Sequence, residues 1–200
     1  MERFIVFLRH GIAEEAAADK PDAERTLTYD GHSRMKQVGR GLADLFPRAD
    51  ALLTSPLVRS AQTALWIAKA YRGAVHPETT DALAPETSAQ ALLAHIASLD
   101  AKRPILVGHE PLLSSAVAAL VGIDAKVLDL KKGGCLGVRL PAEGGAILEW
   151  VLPPRVLRRV RRDRERKRVG TGCAGPAPVA TGNGPPQAVP TRARPAGVIH

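Results

Sequence analysis

Residues 4–11 read Phe4-Ile5-Val6-Phe7-Leu8-Arg9-His10-Gly11, five apolar side chains in a row and then an arginine, a histidine and a glycine. An unbroken apolar run of this length is the signature of a strand buried on both faces, as in a parallel sheet covered by helices. In open sheets of that kind ligands bind beyond the carboxyl ends of the strands. Arg9 and His10 sit at such an end.

The same arrangement recurs twice. Ala51–Thr54 is a short strand followed by Ser55-Pro56-Leu57-Val58-Arg59. Pro56 suits the first turn of a helix that Ser55 would cap, continuing through Ala61, Ala64, Leu65 and Ala68. Arg59 then lies on the first turn, where free N–H groups and the helix dipole favour an anion and a guanidinium adds a bidentate fork. The third case is Pro104–Val107, a strand-like stretch leading into Gly108-His109-Glu110-Pro111 and a helix to Val121.

Between these elements, Thr28 can cap a helix running toward Phe46, interrupted by Gly31, Gly39 and Gly41, and Ser88 to Leu99 has apolar residues at helical spacing. Cys135–Leu140 and Ala146–Leu152, joined by the turn-rich Pro141–Gly145, form a closing hairpin. Short apolar runs alternating with helix-periodic stretches predict an α/β fold, a three-layer α/β/α sandwich with a mainly parallel central sheet.

The formal net charge of +8 is unevenly placed. From Arg155 to His200 there are 11 Lys/Arg against 2 Asp/Glu, which leaves 17 basic and 18 acidic residues in 1–154. The first 154 residues are therefore read as the folded domain. Residues 155–200 are read as a basic, Gly/Pro-rich disordered tail, with at most a frayed helix across the arginine run at Arg158–Arg168 and no aromatic residue to build a core. Nucleic acid is conceivable as a partner only through this tail.

Two cysteines, Cys135 and Cys173, exclude a disulfide framework or a cysteine-rich metal site. The run ending at Leu8 is too short for a signal sequence or a membrane span. A cytoplasmic protein with no membrane partner is expected. The six histidines lack metal-ligand spacing, and no phosphate-binding Gly-rich loop precedes a Lys-Ser/Thr pair, so neither a metal nor any other cofactor is expected.

Taken singly, an Arg-His pair is usually surface decoration, Arg59 a solvated helix residue and His109 a satisfied core histidine. Their agreement in position decides otherwise: three strand ends deliver two arginines and two histidines toward one crevice.

Leu8-Arg9-His10-Gly11 resembles the signature of the histidine phosphatase superfamily, which includes the phosphoglycerate mutases. The block Ser55-Pro56-Leu57-Val58-Arg59-Ser60-Ala61-Gln62-Thr63-Ala64 is similar to that superfamily's second motif, and Gly108-His109 to its third. Arg25-Thr26-Leu27-Thr28-Tyr29-Asp30-Gly31 matches the Arg-x-Leu-Thr-x-x-Gly element of its compact phosphohistidine phosphatases, the SixA type. The resemblance spans roughly residues 3–152 and implies a phosphoglycerate mutase-like fold without a large lid insertion.

It also implies the chemistry. His10 attacks phosphorus, Arg9, Arg59 and His109 bind the phosphoryl oxygens, and Arg25 joins the phosphate-binding set. Imidazole is a competent nucleophile near neutral pH when one ring nitrogen is unprotonated, and two arginines supply without a metal the charge that phosphoryl transfer needs. Members of the superfamily commonly place an acid after the third strand or behind the second histidine. Here Asp81 and Glu86 occupy the first region and Glu110 the second, and the proton donor is left between Glu86 and Glu110. Only a short connection through Pro77, Pro85 and Glu86 lies where larger relatives insert a lid. An open site suits a phosphorylated protein better than a small phosphorylated metabolite. A broad small-molecule phosphomonoesterase or mutase using the same residues, and a polyanion-binding protein acting through the tail, are the alternatives.

Overall fold

The computed structural model describes residues 1–160. The expected strand at the head of the chain is β1 (Arg3–Arg9), followed by α1 (Tyr29–Leu45), β2 (Ala51–Thr54), α2 (Val58–Ala70) and β3 (Pro77–Thr79). Then come α3 (Ala89–Ser98), β4 (Pro104–Gly108), α4 (Leu112–Val121), β5 (Cys135–Leu140) and β6 (Ile147–Leu152). The sheet order is β3-β2-β4-β1-β5-β6. Parallel pairing joins β3, β2, β4 and β1, whereas β5 is antiparallel to both its neighbours.

Strand periodicity explains the three layers. In β1, Val6 and Leu8 point to one face and join Met35, Val38 and Leu42 of α1 and Ala64 and Ile67 of α2. Ile5 and Phe7 point to the other and meet Leu92 and Ile96 of α3 and Leu113 and Val117 of α4. All four strand side chains are fully buried. The α/β/α sandwich with its mainly parallel sheet is thus the fold.

Helix starts follow the local chemistry at the expected cap Thr28 and at Ser88. Thr28 Oγ1 accepts from Gly31 N at 3.0 Å, and Ser88 Oγ accepts from Ala91 N at 3.2 Å. Gly31 is required there by space, since a Cβ would lie 2.0 Å from the Ile12 carbonyl oxygen. The loop after β1 passes directly over the start of α1.

Three expectations need correction. Strand β3 was not anticipated: three residues, Pro-Glu-Thr, carry no apolar pattern, yet they pair with Leu52–Thr54 as an edge strand that tolerates proline at its first position. The connection 75–88 is otherwise one short turn, Asp81–Leu83, so there is no large lid. Helix α2 starts at Val58 rather than Pro56, and no side chain caps it. Ser55 is engaged elsewhere, as described below.

The third concerns the boundary at 154. Residues 154–160 are helical, here α5, with Pro154 at the first helical position, where its missing N–H has no cost. Leu157 is fully buried in the α1/α2 layer, and Gly41 admits it: a Cβ there would lie 1.9 Å from the Leu157 carbonyl oxygen. The composition of the tail hid one apolar anchor. The remainder of the arginine run and the expected disorder of 161–200 lie outside the described residues.

Candidate active site

Register brings the three strand ends together. β1 and β4 are central neighbours with Arg9 opposite Gly108, and β2 places Thr54 opposite Val107. Backbone pairing continues one residue past the strands, His10 N to Gly108 O at 3.0 Å and Ser55 N to Val107 O at 3.0 Å. Consequently the rings of His10 and His109 lie 5.0 Å apart, centroid to centroid.

His10 is 7% exposed and His109 3%. His10 Nδ1 lies 2.7 Å from the Gly11 carbonyl oxygen. A carbonyl can only accept, so Nδ1 carries the proton and Nε2 keeps its lone pair. Burial, reinforced by His109 and the two guanidiniums, pushes the His10 pKa down to about 3 against the partial opposition of the Gly11 bond. Burial and Arg59 likewise lower His109 to about 4. Both rings are neutral at pH 7.

The position of the loop is fixed by hydroxyls on α2. Gly11 N donates to Thr63 Oγ1 at 3.0 Å, and that hydroxyl donates to the Arg59 carbonyl at 2.7 Å. Leu27 N donates to Gln62 Oε1 at 2.7 Å. His109 Nε2 lies 2.8 Å from Ser55 Oγ and 3.2 Å from Ser60 Oγ. With Ser55 donating to Nε2, the neutral ring carries its proton on Nδ1.

That Nδ1 is buried and has no partner, and the same holds for Arg9 Nε and Arg59 Nε. Three of the seven buried unpartnered side-chain groups among the described residues therefore fall on the residues grouped around His10. A buried donor left unsatisfied costs about 1–3 kcal/mol, and persists where a ligand supplies the acceptor. In the tautomer with Ser55 donating to Nε2, these are three unpartnered donors on the residues around the His10 lone pair, the groups an oxyanion requires.

The outer edges of the arginines are held by protein. Arg9 Nη1 donates to Leu130 O at 2.8 Å. Arg59 Nη1 donates to the Asp22 carbonyl at 2.7 Å and Nη2 to Asp22 Oδ2 at 2.9 Å. Asp22 also accepts from Arg25 Nε at 2.8 Å, and Arg25 Nη1 donates to Glu14 O at 2.7 Å. Arg59 and Arg25 hold the Asp22 carboxyl below its ordinary pKa.

The structure brings Arg9, His10, Arg59 and His109 together, while Arg25 spends its donors on Asp22 and Glu14 within the loop. Glu110 Oε1 accepts from Ser114 N at 3.2 Å at the start of α4. Glu86 is exposed, and among the described residues neither it nor Asp81 forms a side-chain hydrogen bond or ion pair to the two histidines or two arginines. Sequence reading gave no role to Asp22, Ser60 or Thr63, and took Ser55 for a helix cap. Ser60 and Thr63 stood inside the quoted second block; Asp22 had no signal beyond its spacing from Arg25.

Residues 5–85 match the model of the histidine phosphatase superfamily (branch 1). The chain belongs to that superfamily. It is a histidine-type phosphatase by that membership. An uncharacterized protein of Picosynechococcus sp. is 41% identical over 140 residues, which cover 68% of this chain and 84% of the relative. Among solved structures, a protein assigned as phosphohistidine phosphatase SixA from Agrobacterium tumefaciens aligns with a TM-score of 0.67 and 24% identity, covering 76% of this chain and 98% of that one. Protein histidine phosphatase SixA complexed with tungstate gives 0.68 and 22%, covering 76% and 97%. A phosphoserine phosphatase from Entamoeba histolytica gives 0.62 and 15%, covering 78% and 99%. At these identities the structures establish a shared fold.

No group of three or more His, Cys, Asp or Glu among the described residues could hold a metal ion. No described helix is long and apolar enough to cross a membrane.

Proposed function

We propose that this phosphatase hydrolyses phosphohistidine carried on a protein, through a covalent intermediate on His10. The observation that carries the reading is the His10 Nδ1–Gly11 bond, which leaves Nε2 unprotonated beside three unpartnered donors. In the first step Nε2 attacks phosphorus and the bond to the leaving group breaks. Arg9, Arg59 and His109 take the charge on the equatorial oxygens, where preorganised donors act most strongly. A phosphohistidine substrate leaves as a neutral imidazole once its ring is protonated. In the second step water attacks phospho-His10, inorganic phosphate departs and its proton goes to solvent.

The short connection at 75–88 supports a macromolecular substrate, because a small metabolite is ordinarily enclosed by a lid that excludes water. The free, buried thiol of Cys135 suits the reducing cytoplasm, where we place the protein. The SixA structure that holds tungstate suggests oxyanions as competitors for the pocket.

Rapid quenching with labelled phosphohistidine peptide tests the mechanism and the substrate together. Acid-labile, base-stable label on the peptide containing Arg9-His10-Gly11 is expected, absent in His10→Ala. His109→Ala removes one transition-state donor and should lower turnover by about 10²–10³-fold. Inversion at phosphorus with a chiral substrate would refute the covalent route, since two in-line displacements retain configuration. Faster turnover of phosphoglycerate than of phosphohistidine peptide would overturn the substrate.

A further inference from the structure

Arg3 opens β1 and Arg9 closes it, so the two ends of the strand stand about 20 Å apart at about 3.3 Å per residue. The two histidines lie beyond the carboxyl end. At the opposite end, a cleft of about 360 Å³ is lined by Glu2, Arg3 and Phe4, by Lys102 and Arg103 before β4, and by Arg139 of β5. The protein anchors the cations here without neutralising three of them. Arg3 gives Nε to the Ala101 carbonyl at 2.9 Å and Nη1 to the Ile96 carbonyl at 3.0 Å, which leaves Nη2 buried without a partner. Arg103 stacks its guanidinium 4.2 Å from the Phe46 ring centroid, with Nε likewise buried and unpartnered. Lys102 is exposed, and its backbone N–H, like that of Arg103, donates to the Asp50 carboxylate at 2.8 Å. Arg139 does have carboxylates, Glu149 at Nε and Glu2 at 3.8 Å from Nη1. Among the described residues Arg3, Lys102 and Arg103 enter no ion pair.

From these unpaired cations around one cleft we infer a second anion site, separate from the catalytic one, that takes a small molecule carrying a diphosphate group. A partly buried guanidinium is costly without a counter-charge, and the carbonyls that hold Arg3 carry no net charge. The rings of Phe4 and Phe46 lower the local dielectric, which strengthens the pull of Arg3 and Arg103 on an anion that the exposed Lys102 can touch directly. Charge sets the number of phosphates. One phosphate brings about −1.5 to −2 and leaves three unpaired cations in excess, whereas two phosphates balance them. Volume agrees, since the cleft has room for about twelve waters at about 30 Å³ each, more than a single phosphate fills, and lies at the small end of ligand sites. Acids flank it on both sides, Asp50 beside Lys102 and Arg103, and Glu2, Glu149 and Glu143 around Arg139. A nucleic-acid strand or an acidic peptide leaving the cleft in either direction would meet like charge, which selects a compact anion over a polymer.

Amide NMR shifts on the whole chain separate this site from the catalytic one, because Arg3, Lys102, Arg103 and Arg139 report the first and Arg9, His10 and Gly11 the second. Pyrophosphate at physiological ionic strength should shift the first set saturably, and orthophosphate should bind there at least about tenfold more weakly, the equivalent of one charge-assisted bond. ADP that matches or exceeds pyrophosphate makes the occupant an organic diphosphate, and ADP that binds more weakly makes it the inorganic ion. Lys102→Glu reverses an exposed charge whose side chain holds nothing else in place. It should weaken pyrophosphate at the first set by at least about tenfold, while the second set and phosphatase turnover stay unchanged. No shift of the first set, or undiminished binding in Lys102→Glu, overturns the site. Orthophosphate binding as tightly as pyrophosphate means an adventitious ion only, and tighter binding of oligothymidylate or polyglutamate at the same amides overturns the compact ligand.

Discussion

Replacing Leu157 by alanine tests where the domain ends. Leu157 is fully buried, among Val38 and Leu42 of α1, and its backbone lies against the space that Gly41 leaves open. Buried Leu→Ala changes cost about 2–5 kcal/mol, the spread reflecting how far the site can collapse. The close contact at Gly41 gives α5 little room to settle inward, so a central loss of about 3 kcal/mol is expected. For a domain of this size, about 2–4 °C is lost per kcal/mol, a fall in Tm of about 6–12 °C. The neighbouring Val156 is 38% exposed and serves as the control, with an expected effect within about 0.5 kcal/mol. Thermal unfolding followed by circular dichroism on the whole chain measures both. A chain ending at Val160 should melt with the intact protein, and one ending at Pro153 at or below Leu157→Ala. A Tm change under about 2 °C for Leu157→Ala would show that α5 contributes no core, and would return the boundary to residue 154.

Further outcomes follow from the site. Ser55→Ala removes the 2.8 Å partner of His109 Nε2 and leaves Ser60 at 3.2 Å; kcat should fall about tenfold with little change in KM, and an unchanged kcat would remove Ser55 from the positioning of His109. Asp22→Asn takes the charged partner from Arg59, whose side chain is 5% exposed, so inhibition by tungstate and kcat/KM should both weaken by about tenfold, as measured by steady-state competition. With pKa values near 3 and 4 in the fold against 6.5 in the unfolded chain, His10 and His109 refuse protons that the unfolded chain accepts. Their contribution to stability is therefore intact above pH 6.5 and declines as pH falls toward 4, further to 3 for His10. Imidazole NMR shifts of both rings should stay constant from pH 8 to about 5, and a midpoint near 6.5 for either would contradict the burial argument.

What could be read in the sequence was whatever repeated. The run Phe4–Leu8 feeds both faces of the sheet, so its buried character needed no knowledge of its neighbours. The three strand ends repeated one topology, and that repetition placed Arg9, Arg59, His10 and His109 together. Isolated residues were opaque. Thr28 caps its helix as expected, but Ser55 has the same preference and, while it accepts from Leu57 N, also faces His109, because a hydroxyl's partner depends on what the fold brings near it. Pro77–Thr79 becomes a strand only through the edge of β2, and Leu157 becomes core only through the space at Gly41. Both are tertiary facts without local pattern.

Asp22 shows how the loop after β1 completes the site without entering the chemistry. Its carbonyl and carboxylate take the two terminal nitrogens of Arg59, which leaves Nε as the unpartnered donor. Arg9 is held through Nη1 alone, by Leu130 O, again with Nε buried and unpartnered. Arg59 is thus gripped by both terminal nitrogens and Arg9 by one, and part of the rotamer freedom a free arginine would lose on binding phosphate is already lost in the fold. Arg25, matched in sequence to a phosphate-binding element, orients Asp22 in turn, so its effect on phosphate passes through Arg59. The two carboxylates that the sequence offered as acids make no bond to these four residues among the described ones. Glu110 is committed to the start of α4 and Glu86 points to solvent. Charge stabilisation is therefore built into the fold, and in the mechanism we propose the leaving group's proton comes with the substrate. A phosphoramidate, whose ring nitrogen accepts a proton from water before the bond breaks, matches that division better than an alkyl phosphate.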